Sequence, residues 1–248
     1  MAAQNPRCFT VHVRYYFASA VRAMHWIRAL LLVFLPASGF YLAAPFISDS
    51  KKLDTSHEFL QAYIRGAHVI AGWLLAAMFF WRFYLFVFFT ADGRSRFPGE
   101  MAEFRVLFSL RNWIDNLLLY GMPWQERPEP GYAREYDYGP LQMLSYFFLY
   151  LALGGIVVTG VLLAAPFQSG GLAGNLAGLL EPVLVALGGL AGVRAVHHWL
   201  TWVFIIFTVV HIYMAVWNGI THRNMRIEAI VSGYAAEDGV DLGDGEAK

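Results

Sequence analysis

Residues 194–217 read RAVHHWLTWVFIIFTVVHIYMAVW, an apolar run with neither Gly nor Pro inside it. Its length and greasiness predict a helix that crosses a bilayer. Histidines stand at 197, 198 and 211. The step from His197 to His211 is close to four helical turns, so the two imidazoles share a face about 21 Å apart along the axis. Histidine inside such a helix is costly and calls for a reason. The spacing suits one reason well: two metal-centred macrocycles stacked across the membrane, each taking one of these histidines as an axial ligand.

The composition agrees with a membrane protein. Of 248 residues, 58% are hydrophobic and only 15% charged, too apolar a balance for an ordinary soluble domain. The formal net charge is zero, which gives no bias toward nucleic acid. Cys8 is the one cysteine. A disulfide framework, a thiolate-held iron–sulfur cluster and covalent haem attachment through C-x-x-C-H are therefore excluded within the chain. A haem here would be b-type, held by axial ligands and packing. Residues 1–26 lack a compact apolar stretch followed by a small-residue cleavage site, so no secretory leader is expected.

Working outward, the pattern predicts an all-α, integral membrane four-helix bundle. Spans are expected at about 25–47, 66–89, 141–167 and 194–217, within one domain over 1–231. Pro36 should kink the first span. A stretch at about 104–122 is amphipathic and expected to lie along the membrane surface. The Gly-rich segment 172–193 contains Glu181-Pro182 and is expected to be interfacial or re-entrant, in preference to a fifth span. The acidic tail from 232 to 248 is expected to be disordered. With four spans, the arm before the first, the 90–139 segment and the C-terminus share a side. That side carries most of the Lys and Arg, so both termini are expected in the cytoplasm.

Depth then pairs the histidines. His68 and His197 lie near the outer ends of spans two and four. His25 and His211 lie toward the cytoplasm on spans one and four. The predicted metal ligands are thus His68 with His197, and His25 with His211. His12, His57 and His222 fall outside the spans and read as solvated residues. His198 points about 100° away from His197, and the register favours His197. Gly39, fourteen residues after His25, falls at the depth of the outer pair, where a missing side chain makes room for a porphyrin. Arg82, fourteen residues after His68, falls at the depth of the inner pair. It reads either as a partner for a haem propionate or as an arginine snorkelling at a helix end. The plainer reading of all four histidines, polar residues near helix ends with no cofactor, is hardest to hold for His211.

Two motifs carry a resemblance. RAMHWIRALLLVFLPASGF is similar to an R-x-x-H-W opening that closes on a small polar residue and Gly. RAVHHWLTWVFIIFTVVH is similar to an R-small-x-H-H…W…F-x-x-x-H pattern. Together with His68 they resemble the cytochrome b subunits of membrane-bound [NiFe] hydrogenases, within the cytochrome b561-like group. The likeness extends over nearly all of 15–227. The chain departs in having Ser38-Gly39 where Thr-Gly is usual, and Trp199 where an aliphatic residue is usual. The resemblance implies a multi-pass protein of the cell inner membrane with two bis-histidine b haems. It implies catalytic partners on the periplasmic side: a large subunit, and an iron–sulfur small subunit with its own transmembrane helix. It also implies membrane quinone as the electron acceptor, and an electron-transfer subunit with no hydrogenase active site of its own.

Three other readings compete: the b subunit of a formate dehydrogenase-like complex, a free-standing cytochrome b561-like quinone oxidoreductase, and a transporter or scaffold whose histidines bind no haem. Neighbouring catalytic subunits separate the first two from the hydrogenase reading. A haem absorbance separates the last from the rest.

Overall fold

A computed structural model describes residues 11–45, 56–121, 136, 138–167, 170–221 and 226–238. Four helices are long and apolar enough to cross a membrane: α1 (Ser19–Ala43), α2 (Ser56–Phe88), α4 (Pro140–Ala164) and α7 (Leu190–Thr221). They form the expected four-helix bundle, with ends that differ by several residues from those read in the sequence. α1 runs on through Pro36. α4 starts where Gly139 gives way to Pro140, whose fixed φ suits a first helical position.

Between α2 and α4 the chain forms a 3-10 helix (Gly99–Phe108) and α3 (Leu110–Gly121). Phe108, Leu110, Ile114 and Leu117 of this stretch are exposed apolar residues, as an interfacial segment requires. Residues 122–135 lie outside the described residues. Between α4 and α7 come two short helices, α5 (Gly171–Leu179) and α6 (Glu181–Ala186). They are separate pieces of nine and six residues, so this stretch does not make a fifth crossing helix. Gly188 and Gly189, at φ 78° and 84°, supply the turn into α7.

One core cluster lies at mid-depth. Leu31, Ala71, Leu75, Leu153 and Phe204 are buried together, with Leu35, Phe79 and Ile156 against them. Leu75 and Phe204 each lie seven residues past a histidine, His68 and His197. At about 1.5 Å per residue that puts an apolar layer roughly halfway between the two histidine levels.

One feature departs from the sequence reading. The tail expected to be disordered from residue 232 is ordered at its start. α8 (Arg226–Ser232) is followed by a strand, β2 (Tyr234–Asp238), which pairs antiparallel with β1 (Val11–Tyr15). Gly233, at φ 93°, makes the turn, and its carbonyl accepts from the Tyr16 N–H at 2.9 Å. Arg22 donates to the Val231 carbonyl at 2.7 Å and Trp26 Nε1 to the Ile230 carbonyl at 3.2 Å. α8 and the β1–β2 ribbon are thereby tied to the first turns of α1. Residues 239–248 lie outside the described residues.

Candidate functional site

A bundle this apolar leaves few buried polar groups, and their positions are informative. Among the described residues they are Ser38, Arg82, Glu100, Asn116 and Thr159. Two of the five touch histidines. Ser38 Oγ lies 2.8 Å from His68 Nδ1, and Thr159 Oγ1 lies 2.8 Å from His197 Nδ1. Each hydroxyl is followed by a glycine. A Cβ on Gly39 would stand 3.4 Å from His68 Cε1, and one on Gly160 would stand 3.6 Å from His197 Cε1. Ser-Gly on α1 thus seats the histidine of α2, and Thr-Gly on α4 seats the histidine of α7. The sequence reading singled out Gly39 but not Thr159. The repeat of a hydroxyl residue before glycine near the ends of α1 and α4 was the available signal.

The four histidines meet in two pairs. His68 and His197 have ring centres 6.5 Å apart, and His25 and His211 6.2 Å apart. These are the pairings expected from depth. Each pair draws on two helices: α2 with α7, and α1 with α7. Metal–imidazole bonds of about 2 Å, plus about 1 Å from each bonding nitrogen to its ring centre, put two imidazoles on opposite sides of one metal roughly 6 Å apart. Both separations fit that requirement. Among the described residues no group of three or more His, Cys, Asp or Glu side chains gathers around a point. Each pair supplies two donors, which suits a metal whose other ligands come with it, as in a porphyrin.

His198 turns elsewhere. Its ring stands edge-on to Phe40 at 5.4 Å and to Trp202 at 6.5 Å. It is exposed and takes no part in the His68–His197 pair. The His25–His211 pair has aromatic neighbours. His25 stands edge-on to Trp26 and His211 stacks on Phe207.

Arg82 departs from one of its two sequence readings. It is buried, not snorkelling, and it already has a carboxylate. Both terminal nitrogens donate to Glu100, at 3.0 and 2.6 Å. The sequence reading missed Glu100. Its delivery depends on Gly99, which sits at φ 51° where an added Cβ would be 2.7–2.8 Å from three carbonyl oxygens of residues 86–89. That tight return lays the 3-10 helix against α2 and aims Glu100 at Arg82. The side chains of His12 and His57, and the whole of His222, lie outside what is described.

A family model described as prokaryotic cytochrome b561 matches residues 16–233. The chain belongs to this family. It is also similar to curated proteins over most of their length. With the "Probable Ni/Fe-hydrogenase B-type cytochrome subunit" of Rhodobacter capsulatus it is 26% identical, covering 89% of this chain and 80% of the relative. With the protein of the same name from Azotobacter vinelandii it is 28% identical, covering 89% and 87%. With the "Probable Ni/Fe-hydrogenase 1 B-type cytochrome subunit" of Escherichia coli K12 it is 23% identical, covering 89% of each. The hydrogenase-type cytochrome b likeness read from the two histidine motifs therefore stands. Four apolar helices and this family make the chain a multi-pass membrane b-type cytochrome.

Proposed function

We propose that this cytochrome is the di-haem subunit that anchors a periplasmic [NiFe] hydrogenase and passes electrons from H₂ oxidation to quinone in the inner membrane. The observation that carries the reading is the presence of two histidine pairs at two levels along α7, each spaced for one metal between two imidazoles. The names of the relatives support the hydrogenase partner.

In this reading His68 and His197 hold the outer haem, and His25 and His211 the inner one. A b haem so held supplies reversible one-electron chemistry at its iron. With two imidazoles at each level, a haem held there would carry electrons and would not bind O₂. The layer of Leu31, Leu75, Leu153 and Phe204 keeps water out of the space between levels. Gly39 and Gly160 let the imidazoles of His68 and His197 come close to α1 and α4. Glu100 takes one bond from each terminal nitrogen of Arg82, and the remaining N–H donors of that guanidinium are what a propionate of the inner haem would meet. The excess of Arg and Lys in the N-terminal arm, the 90–139 segment and the C-terminal region orients those parts toward the cytoplasm. Splitting of H₂ belongs to the large subunit, and the small subunit's iron–sulfur relay and transmembrane helix meet this chain from the periplasmic side.

The test is to purify the chain with its native neighbours from membranes. Co-purification with a nickel protein, haem reduced by H₂, and reoxidation by an added quinone support the reading. Co-purification with a molybdenum enzyme and reduction by formate overturn the partner. A protein without haem absorbance overturns the cofactor.

A further inference from the structure

Ser38 and Thr159 each bring one hydroxyl within reach of three polar atoms. Ser38 Oγ lies 2.8 Å from the Phe34 carbonyl and 3.1 Å from that of Leu35, as well as 2.8 Å from His68 Nδ1. Thr159 Oγ1 lies 2.8 Å from the Gly155 carbonyl and 3.1 Å from that of Ile156, as well as 2.8 Å from His197 Nδ1. A hydroxyl has one proton to give, and a carbonyl oxygen can only accept. Two arrangements are therefore open. In one, the hydroxyl donates to its own helix carbonyl and accepts from Nδ1–H. In the other, it donates to a bare Nδ1, and the imidazole proton moves to Nε2.

The two arrangements differ in what they leave unmatched. In the second, the hydroxyl lone pairs go unused, and the His68 ring carries an Nε2–H with no acceptor among the described hydrogen bonds. Such an orphan donor in an apolar bundle costs about 1–3 kcal/mol. In the first, every polar hydrogen finds an acceptor, and each ring keeps an Nε2 lone pair. The same choice is made twice, on two helix hairpins, at matching positions on α1 and α4.

We infer that Ser38 and Thr159 are positioning residues that fix His68 and His197 in the Nδ1-protonated tautomer, presenting Nε2 of each ring to the metal between them. The inference rests on the reading of this pair as a haem site, and it adds what sets the protonation of its ligands. A neutral imidazole must offer a lone pair to bind iron, and the hydrogen bond on its far nitrogen selects which lone pair that is. The Nδ1–H bond also pushes electron density onto the ring and raises ligand basicity. The oxidised iron gains most from that, so loss of the bond should raise the reduction potential of this haem.

The test uses the full chain in detergent with a His25→Ala background, so that the haem measured is the one at His68–His197. Thr159→Val and Ser38→Ala remove the hydroxyls, and Thr159→Ser and Ser38→Thr keep them. Haem affinity is read by titration and the potential by spectroelectrochemistry. The expected result is a tenfold to hundredfold loss of affinity and a more positive potential in the hydroxyl-free variants, with near-background values in the conservative ones. Unchanged affinity and potential in Thr159→Val and Ser38→Ala would overturn the inference while leaving the haem site standing. An unsubstituted chain that binds no haem would instead overturn the site. A second arm is independent of haem and of variant stability: nitrogen NMR of histidine-labelled, haem-free wild type. Protonation at Nδ1 of His68 and His197 supports the inference, and protonation at Nε2 overturns it.

Discussion

Substitution of Glu100 by Leu separates a buried ion pair from the rest of the fold. The side chains of Arg82 and Glu100 are 9% and 5% exposed, and two hydrogen bonds of 3.0 and 2.6 Å join them. Leucine is close to glutamate in size and leaves the packing of the 3-10 helix intact. What it removes is the only carboxylate among the described residues in reach of a guanidinium that α2 holds inside the bundle. Breaking a buried pair from one side costs about 3–5 kcal/mol, because the remaining charge is left without compensation. For a chain of this size about 4 kcal/mol corresponds to a fall in Tm of roughly 10 °C. The assay is thermal unfolding in detergent, followed by tryptophan fluorescence at matched haem content. The double substitution Arg82→Met/Glu100→Leu completes the cycle. It should recover most of the loss, since an apolar pair of similar volume replaces an ionic one at little net cost. A loss below about 1 kcal/mol for Glu100→Leu, or a double variant no better than the single, would show that the pair is not desolvated as described.

Other outcomes follow from the same geometry. Gly160→Ala places its methyl at an ordinary 3.6 Å from His197 Cε1 and should keep normal haem content, whereas Gly160→Leu drives the ring from its seat and should lose one haem per chain by pyridine haemochrome assay. Gly99→Ala meets both a positive φ and three carbonyls at 2.7–2.8 Å, so it should cost at least about 1–3 kcal/mol in the same unfolding assay. Trp26→Phe removes the bond to the Ile230 carbonyl and should speed proteolysis and hydrogen exchange across 226–238, with haem content unchanged. No hydrogen bond from a described residue holds His25 or His211, in contrast to His68 and His197, so the haem of that pair should be the first lost on dilution in detergent, read from the decay of its redox component.

The parts of this molecule legible in the sequence were those set by one helix at a time. Span number follows from apolar length, and the histidine pairing follows from the fourteen-residue step on α7 combined with the alternating direction of the spans. The parts that were not legible depend on where a second segment comes to rest. Glu100 sits in a stretch of mixed charge where any of several acids could have faced Arg82, and only the turn at Gly99 selects it. Thr159 falls in a run of small residues that reads as helix packing, and its hydroxyl gains meaning only once His197 is beside it. The β1–β2 ribbon joins segments more than 200 residues apart, and the acidic composition of the tail concealed its first ordered residues.

The claim under most strain is that two metals sit at two heights, each gripped from both sides by a different pair of helices. Haem counted per chain in paired alanine substitutions addresses it directly. Wild type should carry two haems and each single variant one. His68→Ala/His197→Ala should still carry one, because both substitutions empty the same place. His68→Ala/His25→Ala should carry none. A His68→Ala/His197→Ala chain without haem, or a His68→Ala/His25→Ala chain that keeps one, would contradict the pairing.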